Sequence, residues 1–286
     1  MIKRLTAVAV LSAFLAACGG GDGSNASAPA NTGPAIKLTY SGSPLVASAN
    51  KARAMAAADT SASSPVVPES QDTINRLQDA FKARGADIGV YPGIVNGSKL
   101  HDIVASVNNG EGPTSTELAA ANVNISTWTL VNFQYDDMTG YVDTPEKQAA
   151  AEQFYKDIRV FAAREYIKGN VVYFARPILS CLPDKLDAQG NVLQTAAVSL
   201  WRALGSGGDN LGHAIGGIRP TPDQMGSDCQ TPDATAQASY VESIVDPLVT
   251  DYKNALDTIN KCKHNPEAIP ENERAGQCWG ITPDKK

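Results

Sequence analysis

Apolar, β-rich segments alternate with helical patterns along most of this 286-residue chain, and this alternation constrains the fold more than any other feature. Strand candidates lie at 36–40, 87–91, 127–133 and 171–174, and helical periods at 46–58, 72–85, 100–107, 145–167, 196–204 and 234–262. Strands that alternate with helices favour βαβ units. The sequence therefore predicts an α/β fold, a three-layer α/β/α sandwich with a mostly parallel sheet, over a single domain at 36–286.

The N-terminus carries the motif Leu15-Ala16-Ala17-Cys18 after a basic start and about ten apolar residues. This motif resembles the bacterial lipobox, and the resemblance implies a signal peptide at 1–17, diacylation of Cys18 and a membrane-anchored mature chain. Gly19 at the second mature position implies the outer membrane by the sorting rule of Gram-negative lipoproteins. The alternative is an ordinary secretory signal with a chance cysteine. Residues 18–35 are rich in Gly, Ser, Ala and Asn and predict a flexible tether.

Charge and hydropathy exclude several partners. Loss of residues 1–17, which hold Lys3 and Arg4 and no acid, changes the formal charge from −6 to −8. An acidic body of this kind does not suit nucleic acid or anionic lipid as a partner. No other apolar run is long enough for a membrane span, and no pattern predicts a cofactor. The expected membrane contact is therefore the lipid on Cys18.

Four cysteines remain in the body after lipidation of Cys18, and an even number in an exported chain favours disulfides. Three pairings are possible. Cys262–Cys278 is favoured because a short polar segment joins the two residues, which would close the C-terminal tail. Cys181–Cys229 then joins two neighbouring strand ends. A zinc site is the rival interpretation, but the chain has no CxxC and only three histidines, so no metal is expected.

Active sites of parallel sheets lie at the carboxyl ends of the strands, and four short motifs follow the predicted strands here. They are Ser41-Gly42-Ser43-Pro44, the loop 93–98 with Gly97, the segment 134–137, and Asp228-Cys229-Gln230-Thr231-Pro232 before the last helix. In this order they resemble the four blocks of the SGNH/GDSL hydrolase family over about residues 36–260. The resemblance implies a serine hydrolase that acts on an acyl or glycan ester.

Carried over residue by residue, the resemblance places Ser43 at the nucleophile and, with Gly97 and Asp136, in the oxyanion hole. Asp228 matches the catalytic acid. Thr231 stands where the family has its histidine, and Asp136 where it has an asparagine. A threonine is not a general base near neutral pH, and an ionised carboxylate does not donate to an oxyanion.

His213 is the candidate for a substitute base, in a Gly-rich loop upstream of Asp228. The sequence leaves two functions open. One is an exported, lipid-anchored esterase or acyl-ester hydrolase with Ser43 as the nucleophile, active, weakly active or inactive. The other is a non-catalytic envelope lipoprotein that binds a ligand or partner in the altered cleft. The two differ in whether any histidine reaches hydrogen-bonding distance of Ser43.

Overall fold

A computed structural model describes residues 33–45, 69–95, 99–134, 140–183, 185–205 and 212–284. The strands in this part of the chain are β1 (Ile36–Gly42), β2 (Ile88–Val95), β3 (Asn124–Asn132), β4 (Asn170–Ala175), β5 (Lys185–Leu186), β6 (Val192–Leu193) and β7 (His213–Ile215). Five of them form one parallel sheet in the order β2-β1-β3-β4-β7. The two-residue strands β5 and β6 form a separate antiparallel hairpin.

Seven α-helices occur in the described residues. They are α1 (Glu69–Ala83), α2 (Leu100–Ala105), α3 (Ser115–Ala120), α4 (Pro145–Ile167), α5 (Ala196–Gly205), α6 (Ala234–His264) and α7 (Glu271–Gln277). Local sequence sets their ends: α4 begins with Pro145 after the capping side chain of Thr144, and Asp233 caps α6 by accepting a hydrogen bond from Ala236 N–H. No helix among these residues is long and apolar enough to cross a bilayer.

The helices cover both faces of the sheet and create two apolar cores. On one face, α1 and α6 pack over Leu38, Tyr40 and Leu130. On the other face, α2, α4 and α5 pack over Val131 and Phe174. Successive strand residues point to opposite faces, so each central strand contributes to both cores. The predicted fold class, a three-layer α/β/α sandwich around a parallel sheet, is confirmed.

Most predicted elements are present with small changes at their ends. The prediction for α4 matches the observed bounds, and α6 continues through Pro247 to His264. The sequence did not predict β7 or the hairpin of β5 and β6. The predicted helix at 46–58 and the anchor residue Cys18 lie outside the described residues.

Both favoured cysteine pairings are present as disulfides. Cys181–Cys229 joins the chain after β4 to the loop before α6, and the Cys181 amide also donates to the Cys229 carbonyl at 3.1 Å. Cys262–Cys278 joins the end of α6 to the end of α7. The first bridge therefore fixes the loop of Asp228 and Thr231 to the carboxyl end of β4.

Candidate functional site

The strand order places a topological switch point between β1 and β3. In the order β2-β1-β3-β4-β7 the chain runs from β1 outward to β2 and then returns across β1 to β3. Ligands of open parallel sheets bind beyond the carboxyl ends of the strands at such a point. Ser43 directly follows β1, and Asn132 ends β3 opposite Gly42. The candidate nucleophile therefore lies where the fold favours a site.

The main chain of Ser43 is held by Asn132 on the neighbouring strand. The Ser43 N–H donates to the Asn132 carbonyl at 2.9 Å, and the Ser43 carbonyl accepts from Asn132 Nδ2 at 3.2 Å and from the Tyr40 hydroxyl. A glycine is required just before it, because Gly42 has φ +134° and a Cβ there would lie 2.3 Å from the Asn132 carbonyl carbon. These contacts fix the turn and leave the Ser43 side chain half-buried.

One of these hydrogen bonds alters the predicted oxyanion hole. The Ser43 N–H, which was expected to donate to an oxyanion, already donates to Asn132. It is therefore not free for that role in this arrangement. Gly97 and Asp136, the other two predicted members of the hole, lie outside the described residues.

Asn132 is the centre of a buried polar network that the sequence analysis missed. Its side chain donates to the Tyr40 hydroxyl at 2.8 Å and accepts from Gln134 at 2.7 Å and from the Tyr240 hydroxyl at 3.2 Å. Burial raises the pKa of both Tyr40 and Tyr240, so both phenols stay protonated and available as donors near neutral pH. In the sequence, the one indication of this network is that Asn132 is a polar residue near the end of an apolar run. Through Tyr240, the network joins the start of α6 to Ser43.

Asp228 and Thr231 form a closed turn of their own before α6. Asp228 Oδ1 accepts from the backbone N–H groups of Gln230 at 2.9 Å and Thr231 at 3.0 Å, and Oδ2 accepts from the Thr231 hydroxyl at 2.7 Å. These hydrogen bonds, that from Gln230 foremost, lower the pKa of Asp228 below its usual value. The carboxylate of Asp228 therefore stabilises its own turn. The Thr231 hydroxyl, at the position predicted for the family's histidine, donates to this carboxylate.

His213 lies three strands away from Ser43. It pairs with Tyr173 on β4, Tyr173 pairs with Leu130 on β3, and Leu130 pairs with Tyr40 on β1. Three strand spacings therefore separate His213 from Tyr40 by about 14 Å. Ser43 lies three residues beyond Tyr40, just after the end of β1. The two side chains cannot span this separation, so in this arrangement His213 is not the substitute base for Ser43. Its ring instead packs against Tyr173, at 5.7 Å between centroids, and lines a cavity of about 500 Å³.

The other two histidines of the chain also have partners elsewhere. His101 Nδ1 lies 2.9 Å from the buried carboxylate of Asp157 on α4. His264 Nδ1 lies 2.9 Å from Asp284 near the C-terminus. All three histidines belong to the described residues, and none of them has a hydrogen bond to Ser43. Nor do three His, Cys, Asp or Glu side chains group as a metal site within the described ranges.

No protein-family model and no curated protein sequence matches this chain. Two solved structures are similar in fold. The psychrotrophic esterase EstA from Pseudoalteromonas sp., inhibited by monoethylphosphonate, is 11% identical with a TM-score of 0.42, and the match covers 77% of this chain and 98% of that one. TesA is 13% identical with a TM-score of 0.41, covering 76% of this chain and 99% of that one. What Ser43 and its neighbours can do therefore follows from their own contacts.

Proposed function

We propose that this chain is an envelope lipoprotein that binds a small ligand at the carboxyl edge of β1 and β3 without hydrolysing it. The observation that carries the proposal is that none of the chain's three histidines has a hydrogen bond to Ser43. The SGNH/GDSL resemblance accounts for the fold and for the position of the cleft. It does not supply the chemistry, because its base is missing.

Two further contacts support a cleft without hydrolysis. A serine hydroxyl becomes nucleophilic when an adjacent base takes its proton, and a positioned base accelerates such a reaction about 10²–10⁴-fold. Here the carboxylate that would orient a base is closed onto Thr231. The Ser43 amide that would stabilise an oxyanion donates to Asn132. The same contacts make the edge rigid, and rigidity favours binding because less freedom is lost with the ligand.

The envelope location is part of the proposal and rests on the lipobox-like motif. Diacylation of Cys18 would attach the mature chain to a membrane, and Gly19 favours the outer membrane. The predicted tether at 18–35 would hold the α/β body away from the lipid surface. Two disulfides in the body are consistent with an oxidising compartment.

A serine-directed fluorophosphonate probe tests the absence of hydrolysis. The full-length protein in detergent should show no labelling above that of Ser43→Ala, and both should hydrolyse a short acyl ester at the background rate. Labelling or turnover that Ser43→Ala abolishes would instead establish the esterase function.

The variant Thr231→His tests whether the missing base is the reason for inactivity. Alone or with Asp136→Asn, it restores the residue types that the SGNH/GDSL family has at these two positions. If the alignment of these motifs is right, ester turnover dependent on Ser43 should rise about 10²-fold, which is the ordinary contribution of a general base. Thr231→Val is the matched control, because it removes the hydroxyl without adding a base.

A further inference from the structure

Arg176 is a half-buried arginine at the carboxyl edge of the sheet, and its side chain has no acceptor among the described residues. Three other half-buried arginines donate to described acceptors: Arg84 to Asp246, Arg164 to backbone carbonyls, and Arg274 to the Ile269 carbonyl. The guanidinium of Arg176 has no hydrogen bond or ion pair among the described residues, and its Nε is buried and unsatisfied. The Nε of Arg274 is also unsatisfied, but Arg274 donates through another guanidinium nitrogen to Ile269. A buried donor atom without a partner is unfavourable, so a ligand that supplies an acceptor to Arg176 would be stabilising.

The surroundings of Arg176 hold its guanidinium in place. The guanidinium lies over the ring of Trp201 on α5, with Cζ 5.4 Å from the ring centroid. Gly217, with φ +83°, makes room for both: a Cβ there would lie 2.5 Å from the Trp201 ring and 2.7 Å from Arg176 Cβ. The Arg176 amide also donates to the Ile215 carbonyl at 2.9 Å. The side chain is therefore stacked on Trp201 and the main chain is held by β7, while the guanidinium has no hydrogen-bond acceptor among the described residues.

Arg176 directly follows β4 and Ser43 directly follows β1, at the same carboxyl edge of the sheet. Gly42 pairs with Asn132, and Val131 pairs with Phe174. Extended past the strand ends, these registers place Phe133 between Ser43 and Arg176. Two strand spacings put the Cα atoms of Ser43 and Arg176 about 10 Å apart. A ligand in the cleft at Ser43 therefore needs only a short body to reach the guanidinium.

We infer that the ligand of this cleft carries a carboxylate, which Arg176 binds against the face of Trp201. The inference rests on the proposed binding function and adds the ligand class. A planar guanidinium matches a carboxylate in a bidentate pair, and stacking on an indole favours this geometry. One cation balances the single charge of a carboxylate, whereas a phosphate carries up to two charges. The aromatic ring of Trp201 provides an apolar contact for the body of an organic acid.

Titration calorimetry on the full-length protein in detergent tests the inference with benzoate, its uncharged analogue benzamide and inorganic phosphate. Wild type should bind benzoate and show no heat of binding with benzamide. Arg176→Gln should weaken benzoate binding at least about tenfold, the loss expected for one charge-assisted pair. The affinity of Arg176→Lys for benzoate should lie between those of wild type and Arg176→Gln, because lysine keeps the charge and loses the planar fork. Arg202→Gln is the matched control, since Arg202 is exposed on the same helix as Trp201.

Several results would overturn the inference. They are benzoate binding that Arg176→Gln leaves unchanged, absence of benzoate binding by wild type, or phosphate binding that is tighter than benzoate binding and depends on Arg176. Each variant is first compared with wild type by circular dichroism and melting temperature, and Arg176→Lys provides the readout if Arg176→Gln does not fold. Fluorophosphonate labelling of Ser43 would refute the proposed non-catalytic function alone, because that reaction does not require Arg176.

Discussion

Substitution of Asn132 should destabilise the protein strongly, because its side chain connects β1, β3 and α6 in a buried network. In Asn132→Ala the buried Tyr240 hydroxyl loses its acceptor, and an orphaned buried polar group costs about 1–3 kcal/mol. The lost bonds to the Tyr40 hydroxyl and the Ser43 carbonyl contribute about 1 kcal/mol each. The free energy of unfolding should therefore fall by about 4 kcal/mol, and the melting temperature by about 10 °C.

Urea and thermal unfolding, followed by circular dichroism, measure this change. Gln134→Ala is the control, since Gln134 contacts the same Asn132 oxygen but is half-buried and can be hydrated; its cost should stay below about 1 kcal/mol. In a double-mutant cycle, Tyr240→Phe should cost about 1 kcal/mol alone and less on the Asn132→Ala background, where the hydroxyl is already orphaned. A loss under about 1 kcal/mol for Asn132→Ala, or strictly additive effects, would refute the network.

Three more predictions concern the turn before α6 and the anchor. Replacing Cys181 and Cys229 together by Ala should lower the free energy of unfolding by about 4 kcal/mol in chemical denaturation, because the bridge closes 48 residues. The carboxyl of Asp228 should titrate below its ordinary pKa in an NMR titration, so the stabilisation it provides is present above about pH 4 and disappears as the pH falls through the lowered pKa. In Thr231→Val that pKa should move back up, because one donor is lost; an unchanged value would contradict the turn. Cys18→Ser should move the protein from the membrane to the soluble fraction.

Long, strongly patterned segments allowed the fold to be predicted from the sequence. The α4 helix carries its own start signal, Thr144 followed by Pro145, and its predicted and observed bounds agree. The strand β7 was missed because its three residues lie in a Gly-rich stretch, where no period-two pattern can develop. Its strand character comes from pairing with β4 at Tyr173, Phe174 and Ala175, which is a tertiary contact.

The place of Ser43 in the fold was predictable from the sequence, but its contacts were not. Ser43 follows β1 as expected, because strand ends can be located from the sequence. The network around Ser43 could not be predicted, since Asn132 lies 89 residues further along the chain and Tyr240, which bonds Asn132, lies 197 residues from Ser43. Asn132 resembled any polar residue at a strand end until its four side-chain partners were known. His213 was suggested by its residue type, but the register of β7 decides its distance from Ser43.

The turn of Asp228 satisfies its carboxylate within a few residues of the chain. Under the proposed function, a histidine at position 231 would instead offer that carboxylate an imidazole as its partner. Threonine is shorter, and it returns its hydroxyl to the same carboxylate at 2.7 Å. The negative charge is then satisfied locally, and the disulfide at Cys229 fixes the turn to β4. These contacts make the turn rigid, and at the same edge of the sheet Arg176 is a half-buried charge with no hydrogen-bond acceptor among the described residues.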